Sequence, residues 1–326
     1  MPSVTGALRR ALLAPTLAEV SFAGRGFPVA PSAATERLEA AAQAVVCGFE
    51  WGIDARDLWD IHRRLTMVEP ELRGFAVEGT TMAFAIRDAV RGRRNRHLMS
   101  GVGHSHVFLG YIGIGFAMAR LPRRLWGKLL PDLTGSPYYP TMSWLVVDGY
   151  GFDRAYFDTK RWVDEQRRPQ PYPWQGSAAY FPRAVDQGIG RALWFIHGAS
   201  VEGVARAIRA FAEERRPDLW SGVGLAAAYA GGCTPSGFAD LRGAAGVHWS
   251  EVALGVVFAA KARTFAGFVP AYTEVAADVI VGLTAEDAAE IADQTEVAPP
   301  APGVPEGPVP QYEVWRQRIR DCLSKL

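Results

Sequence analysis

Phe49-Glu50-Trp51-Gly52, followed after a helical stretch by Pro70-Glu71-Leu72-Arg73-Gly74, has an echo further along the chain. There Phe195-Ile196-His197-Gly198 leads, over nearly the same distance, to Pro217-Asp218-Leu219-Trp220-Ser221-Gly222. Gly103-His104-Ser105-His106-Val107-Phe108-Leu109-Gly110 then lines up with His248-Trp249-Ser250-Glu251-Val252-Ala253-Leu254-Gly255 at almost the same offset. A weaker match sets Trp144–Gly149 against Ala277–Gly282. Matches in one order predict an internal duplication, with halves packed about a pseudo-two-fold. The expected layout is a leader over 1–33, a first helical repeat over 34–165, a linker over 166–182 and a second repeat over 183–293. A Pro-rich tether over 294–311 and a C-terminal helix over 312–326 follow.

The periodicity inside the halves is helical. Ala, Glu and Leu dominate Glu36–Glu50, with Thr35 as the expected N-cap. Leu58, Ile61 and Leu65 share one face of a second helix, with Asp54 as its expected cap. Asp218 is read as the cap of a later one, and Arg87–His97 as a basic loop. The fold class is therefore mainly α. Short strands around Leu145–Val147 and Val279–Val281 remain an alternative, because those runs are β-branched. Gly110, Gly113 and Gly115 interrupt an apolar helix, where glycine costs roughly 1 kcal/mol against alanine. Close helix packing, or a flat ligand against the backbone, would explain them. Residues 299–310 hold six prolines and read as a semi-extended tether. Trp315, Ile319, Cys322 and Leu323 form one stripe that predicts docking of the last helix onto the body.

Composition narrows function by exclusion. The chain has 326 residues, 49% of them hydrophobic, and a net charge of +1. That charge argues against a dedicated nucleic-acid binder. Three scattered cysteines, Cys47, Cys233 and Cys322, indicate neither a disulfide framework nor a zinc site and fit a reducing cytoplasm. The N-terminus has no signal-peptide pattern. The longest apolar run, Val107–Ala119, is about thirteen residues, short of the ~20 that span a bilayer. No dinucleotide, phosphate-loop, zinc-protease or nucleophile-elbow motif is present, nor an aspartate-rich diphosphate motif. The cofactor stays open, and no metal site is expected.

Polar groups present in only one half are the candidates for chemistry. Glu78 lies in an apolar, small-residue run and aligns with Leu225 or Ala226. A carboxyl buried there must find a cation or take a raised pKa, which makes it the expected general acid or base. His106 aligns with Glu251 and is a candidate proton carrier. Asp148, at the end of an apolar run, aligns with Val281. Tyr150, Phe152 and Trp220 are expected to line a cavity between the halves. Asp186 and Arg191, five apart, are expected to support the site and to pair with each other. Arg87, Arg91, Arg93, Arg94 and Arg96, with Arg123, Arg124 and Lys128, form a basic concentration suited to an acidic carrier protein or a phosphate-bearing ligand, and other pathway proteins are further expected partners.

These stretches together resemble a bacterial family of unknown function found in enediyne antibiotic gene clusters. The resemblance is carried by Arg25-Gly26-Phe27, Gly74–Gly79, His106 through Pro122 and Val147-Asp148-Gly149-Tyr150-Gly151-Phe152. It continues through Asp186–Arg191 with Trp194-Phe195, and Asp218–Ala226. In the family pattern a histidine commonly follows the Gly-Tyr-Gly-Phe run, whereas here Asp153 stands there. The resemblance implies a part in maturing a polyketide-derived polyene into an enediyne core, with an apolar intermediate as ligand. It brings no established catalytic residues. Two other readings compete: a non-catalytic polyene-binding chaperone or scaffold, and a terpene-type cyclase lacking an aspartate-rich motif.

Overall fold

The computed structural model describes residues 14–90, 92–298 and 307–326. Arg91, most of the Leu8–Leu17 amphipathic stretch and residues 299–306 of the Pro-rich tether lie outside the described residues. Nine helices build the body: α1 (Ala33–Asp54), α2 (Pro70–Val90), α3 (Val107–Arg120), α4 (Trp144–Phe157), α5 (Phe181–Ile196), α6 (Arg216–Ala230), α7 (Trp249–Phe265), α8 (Ala285–Gln294) and α9 (Gln311–Leu323). Shorter helices, among them Leu58–Thr66, Arg94–Met99, Val201–Ala210 and Pro235–Ala245, return the chain from one long helix to the next. The succession long, short, long, short, 3-10 turn, long runs from α1 to α3 and recurs from α5 to α7 with one added 3-10 turn, Glu213–Arg215, before α6.

Each long helix from α1 to α7 packs chiefly on the long helices that precede and follow it in sequence. They run parallel. Leu109 and Gly113 of α3 meet Gly74 and Glu78 of α2, and Val252, Gly255 and Arg263 of α7 meet Gly224, Ser221 and Tyr229 of α6. Glycine makes these crossings possible. In α3, a Cβ on Gly113 would stand closer than 3.0 Å to the Glu78 backbone, and one on Gly115 equally close to Val146. Gly149 and Gly151 of α4 press in the same way on α3 and α5, Gly188 and Gly190 of α5 on α4 and α6, and Gly222 and Gly224 of α6 on α5 and α7. A Gly-x-Gly pair sends one residue to each neighbour because two residues turn a helix by ~200°. Of the two explanations open for the α3 glycines, close helix packing is the one realised.

No strand occurs among the described residues. Leu145–Val147 lies inside α4, and Val279–Val281 ends a π-helical turn, Ala277–Val281. Leu145, Val146 and Val147 are buried between helices, and that packing outweighs the β preference of the run. The caps also move. Ser32 caps α1 with Thr35 as the answering residue of a capping box, and Asp57 rather than Asp54 caps Leu58–Thr66. Asp218 caps nothing; it sits within the first turn of α6, buried among arginines. The expected basic loop contains the helix Arg94–Met99. Several of its cations are used internally: Arg87 donates to the Gly52 and Ala55 carbonyls, and Arg94 pairs with Asp88 at 3.0 Å.

α9 docks as its stripe predicts, with Trp315 and Ile319 fully buried. Its polar face does as much. Arg316 is 1% exposed and meets Asp218 at 3.3 Å, Glu313 at 3.0 Å and the Ser221 hydroxyl at 3.1 Å. Arg320 reaches Glu251 and Glu313. Burial works against the Glu313 charge, but Arg316, Arg183 and Arg320 outweigh it and hold its carboxyl down to about 2. Among the described residues only Pro235–Phe265 is long and apolar enough to cross a bilayer; just over half of its apolar window is buried in the protein, and the backbone turns at Gly246.

Candidate functional site

The row of helices curves around an interior space divided into two chambers. The first takes its wall from α1 to α5; the roughly 690 Å³ of non-atom space there includes the adjoining open solvent. The second, about 510 Å³ counted the same way, is lined by α2 to α7. Phe75, Arg191 and Phe195 belong to both walls. Most of the remaining lining is apolar, as in small-molecule sites generally.

Glu78 points into the first chamber from the middle of α2. It is there because Gly74, Glu78 and Met82 follow at the four-residue spacing that keeps one helix face. Glu78 is 3% exposed and forms no hydrogen bond or ion pair within the protein. Burial drives its carboxyl up to about 8; Arg191 opposes that shift and the Asp148 charge adds to it. At neutral pH it therefore holds its proton and stands as a carboxylic acid facing an apolar space.

Arg191 of α5 lies beside it on the wall, 8% exposed. Its Nε is 2.7 Å from Asp148 Oδ1 of α4, an ion pair whose N–H is not aligned on the oxygen. Its Nη2 is buried without an acceptor. The guanidinium also sits 5.1 Å from the centre of the Phe152 ring. Asp148 stands behind Arg191, off the chamber wall, with burial raising its carboxyl even against the arginine's pull. Asp153 pairs with Arg120 at 3.0 Å, both on the wall of the first chamber.

The expected pairing of Asp186 with Arg191 does not form. Five residues along a helix turn a side chain by ~140°, so the two face opposite ways. Asp186 instead takes a two-pronged bond from Arg215, at 2.6 and 2.9 Å, while burial pushes its carboxyl up to about 6. It serves the scaffold. Tyr150 also lies away from the chambers, ringed by Trp126, Trp162 and Phe181, and Trp220 is buried but lines neither. Phe152 lines the first chamber as expected.

His106 precedes α3 and touches neither chamber wall, so Glu78, His106 and Asp148 do not converge on one point. Burial, with Arg73 and Arg263 nearby, pulls its imidazole down to about 4, and its Nδ1 has no partner. Where α2 begins, a Cβ on Gly74 would meet both the Tyr229 hydroxyl and His106 Nδ1. That hydroxyl is buried and unpartnered, and Tyr229 lines the second chamber. Tyr229 was not legible as a site residue: it stands in an alanine-rich stretch with no polar neighbour in sequence. Among the described residues no cluster of three or more histidine, cysteine or acidic side chains is arranged to hold a metal ion, and all three cysteines are free thiols.

A family model described as "Protein of unknown function (DUF1702)" matches residues 4–323. No curated protein and no solved structure matches the chain.

Proposed function

Since the chain belongs to the DUF1702 family of proteins of unknown function, we propose from its interior that it takes up an elongated apolar molecule and moves a proton on it through Glu78. The observation that carries this reading is the Glu78 carboxylic acid, buried, unpartnered and exposed only to an apolar chamber. A group that titrates near neutrality can both donate and take back a proton. Asp148 is a positioning residue, holding Arg191 against the chamber. The enediyne resemblance read from the sequence supplies the ligand class: a conjugated polyene of polyketide origin on its way to an enediyne core. The basic segment around Arg93 and Arg96 supports docking of an acidic carrier protein.

The test is Glu78→Gln in a producing strain or reconstituted pathway. Loss of the matured product, with the variant folded, supports the reading; unchanged product contradicts it. His106→Ala should have the smaller effect, because His106 stands off the chamber wall. That same distance favours a second reading, capture of the polyene without turnover. It predicts a bound polyene of unaltered mass and a Glu78→Gln variant that protects the pathway as well as the parent.

A further inference from the structure

The shared wall of the two chambers has a chemistry that the proton-transfer reading does not use. Phe75 and Phe195 are apolar, so the one charged group at the junction is Arg191. A guanidinium carries five donors and no acceptor. Asp148 neutralises its charge from behind, but no protein acceptor is aligned on its Nε or Nη2, and the side chain lines both chambers. A buried donor left unpaired is destabilising, and a ligand oxygen would relieve it. We infer that the two chambers are a single bent binding site, and that its ligand is a long apolar molecule carrying a carbonyl or carboxylate oxygen part-way along, which seats on Arg191 at the bend.

The shape and the chemistry agree. An apolar arm on each side of the oxygen would fill one chamber each, passing Phe152 and Phe116 in the first and Leu109 and Leu225 in the second. The Glu78 acid would lie along the arm in the first chamber. This rests on the proposal that the interior receives an apolar ligand, and specifies what that ligand carries.

The probes are dioctyl ketone, the straight alkane of equal length, and octanoic acid, titrated calorimetrically into the full chain. The ketone should bind roughly tenfold tighter than the alkane, the advantage of one hydrogen bond to a charged donor. Arg191→Met should erase that advantage, and Arg191→Lys should keep part of it. Ala226→Leu, which narrows only the second chamber, should weaken the ketone and leave octanoic acid, a one-armed probe, unchanged. Melting curves check that each variant is folded. Equal binding of ketone and alkane to the parent overturns the inference and leaves the apolar-ligand reading standing. Binding of neither overturns both. Ketone binding unaffected by Ala226→Leu shows that the chambers do not act together, and also overturns it.

Discussion

Glu78 is the residue on which the proposed chemistry turns, and its proton has a thermodynamic signature. An ordinary glutamate ionises near pH 4.5 when the chain unfolds, whereas the folded protein holds the proton to about 8. Between those values the unfolded state binds fewer protons, so stability must fall as pH rises. The parent should lose a few kcal/mol from pH 5 to pH 8 relative to Glu78→Gln, the two being similar at pH 5. Melting temperatures of both across that range check it. His106 acts in the opposite sense. Its imidazole is held to about 4, so its share of stability is lost as pH falls from 6.5 toward 4, and His106→Gln should flatten that acid-side decline. At this scale the sequence exposed Glu78, because a lone carboxyl in a small apolar run has few outlets. It hid the Asp148–Arg191 pair, whose members come from different helices, and offered Asp186 as a false partner, because proximity in sequence is not proximity on a helix face.

At the scale of elements, the glycines set the spacing of the helices and so the width of the interior. Gly113→Ala would drive a methyl into the Glu78 carbonyl, and Gly188→Ala into that of Asp148. Backbone cannot move aside as a side chain can, so each should cost about 3 kcal/mol, at the upper end of overpacking penalties. Gly243→Ala is the control. Nothing lies within 4 Å of its added carbon, and it should gain about 0.4–1 kcal/mol through the unfolded state. Urea denaturation of the three variants decides this. The helices themselves were legible from their spacing, but the β-branched start of α4 was not, because its burial between neighbouring helices is a tertiary fact. The Gly-x-Gly pairs are visible in the sequence; that each presses on two different helices is not.

In the whole molecule, α9 locks the curved row through Arg316. Replacing it by Met takes one buried cation from Asp218 and Glu313 but leaves Arg183 on both and Arg320 on Glu313, so it should destabilise the fold by about 1–3 kcal/mol, read by chemical denaturation. The amphipathic stripe foretold that α9 would dock, whereas its buried ion network depends on helices distant in sequence. What unifies the scales is an apolar interior with one free acid on its wall. The most direct test is native mass spectrometry of the parent and Glu78→Gln, each purified from cells making the pathway's polyene. The parent should release a product of altered mass or connectivity, and Glu78→Gln should retain the polyene unchanged. The same product from both proteins, or no retained polyene in either, would contradict the account.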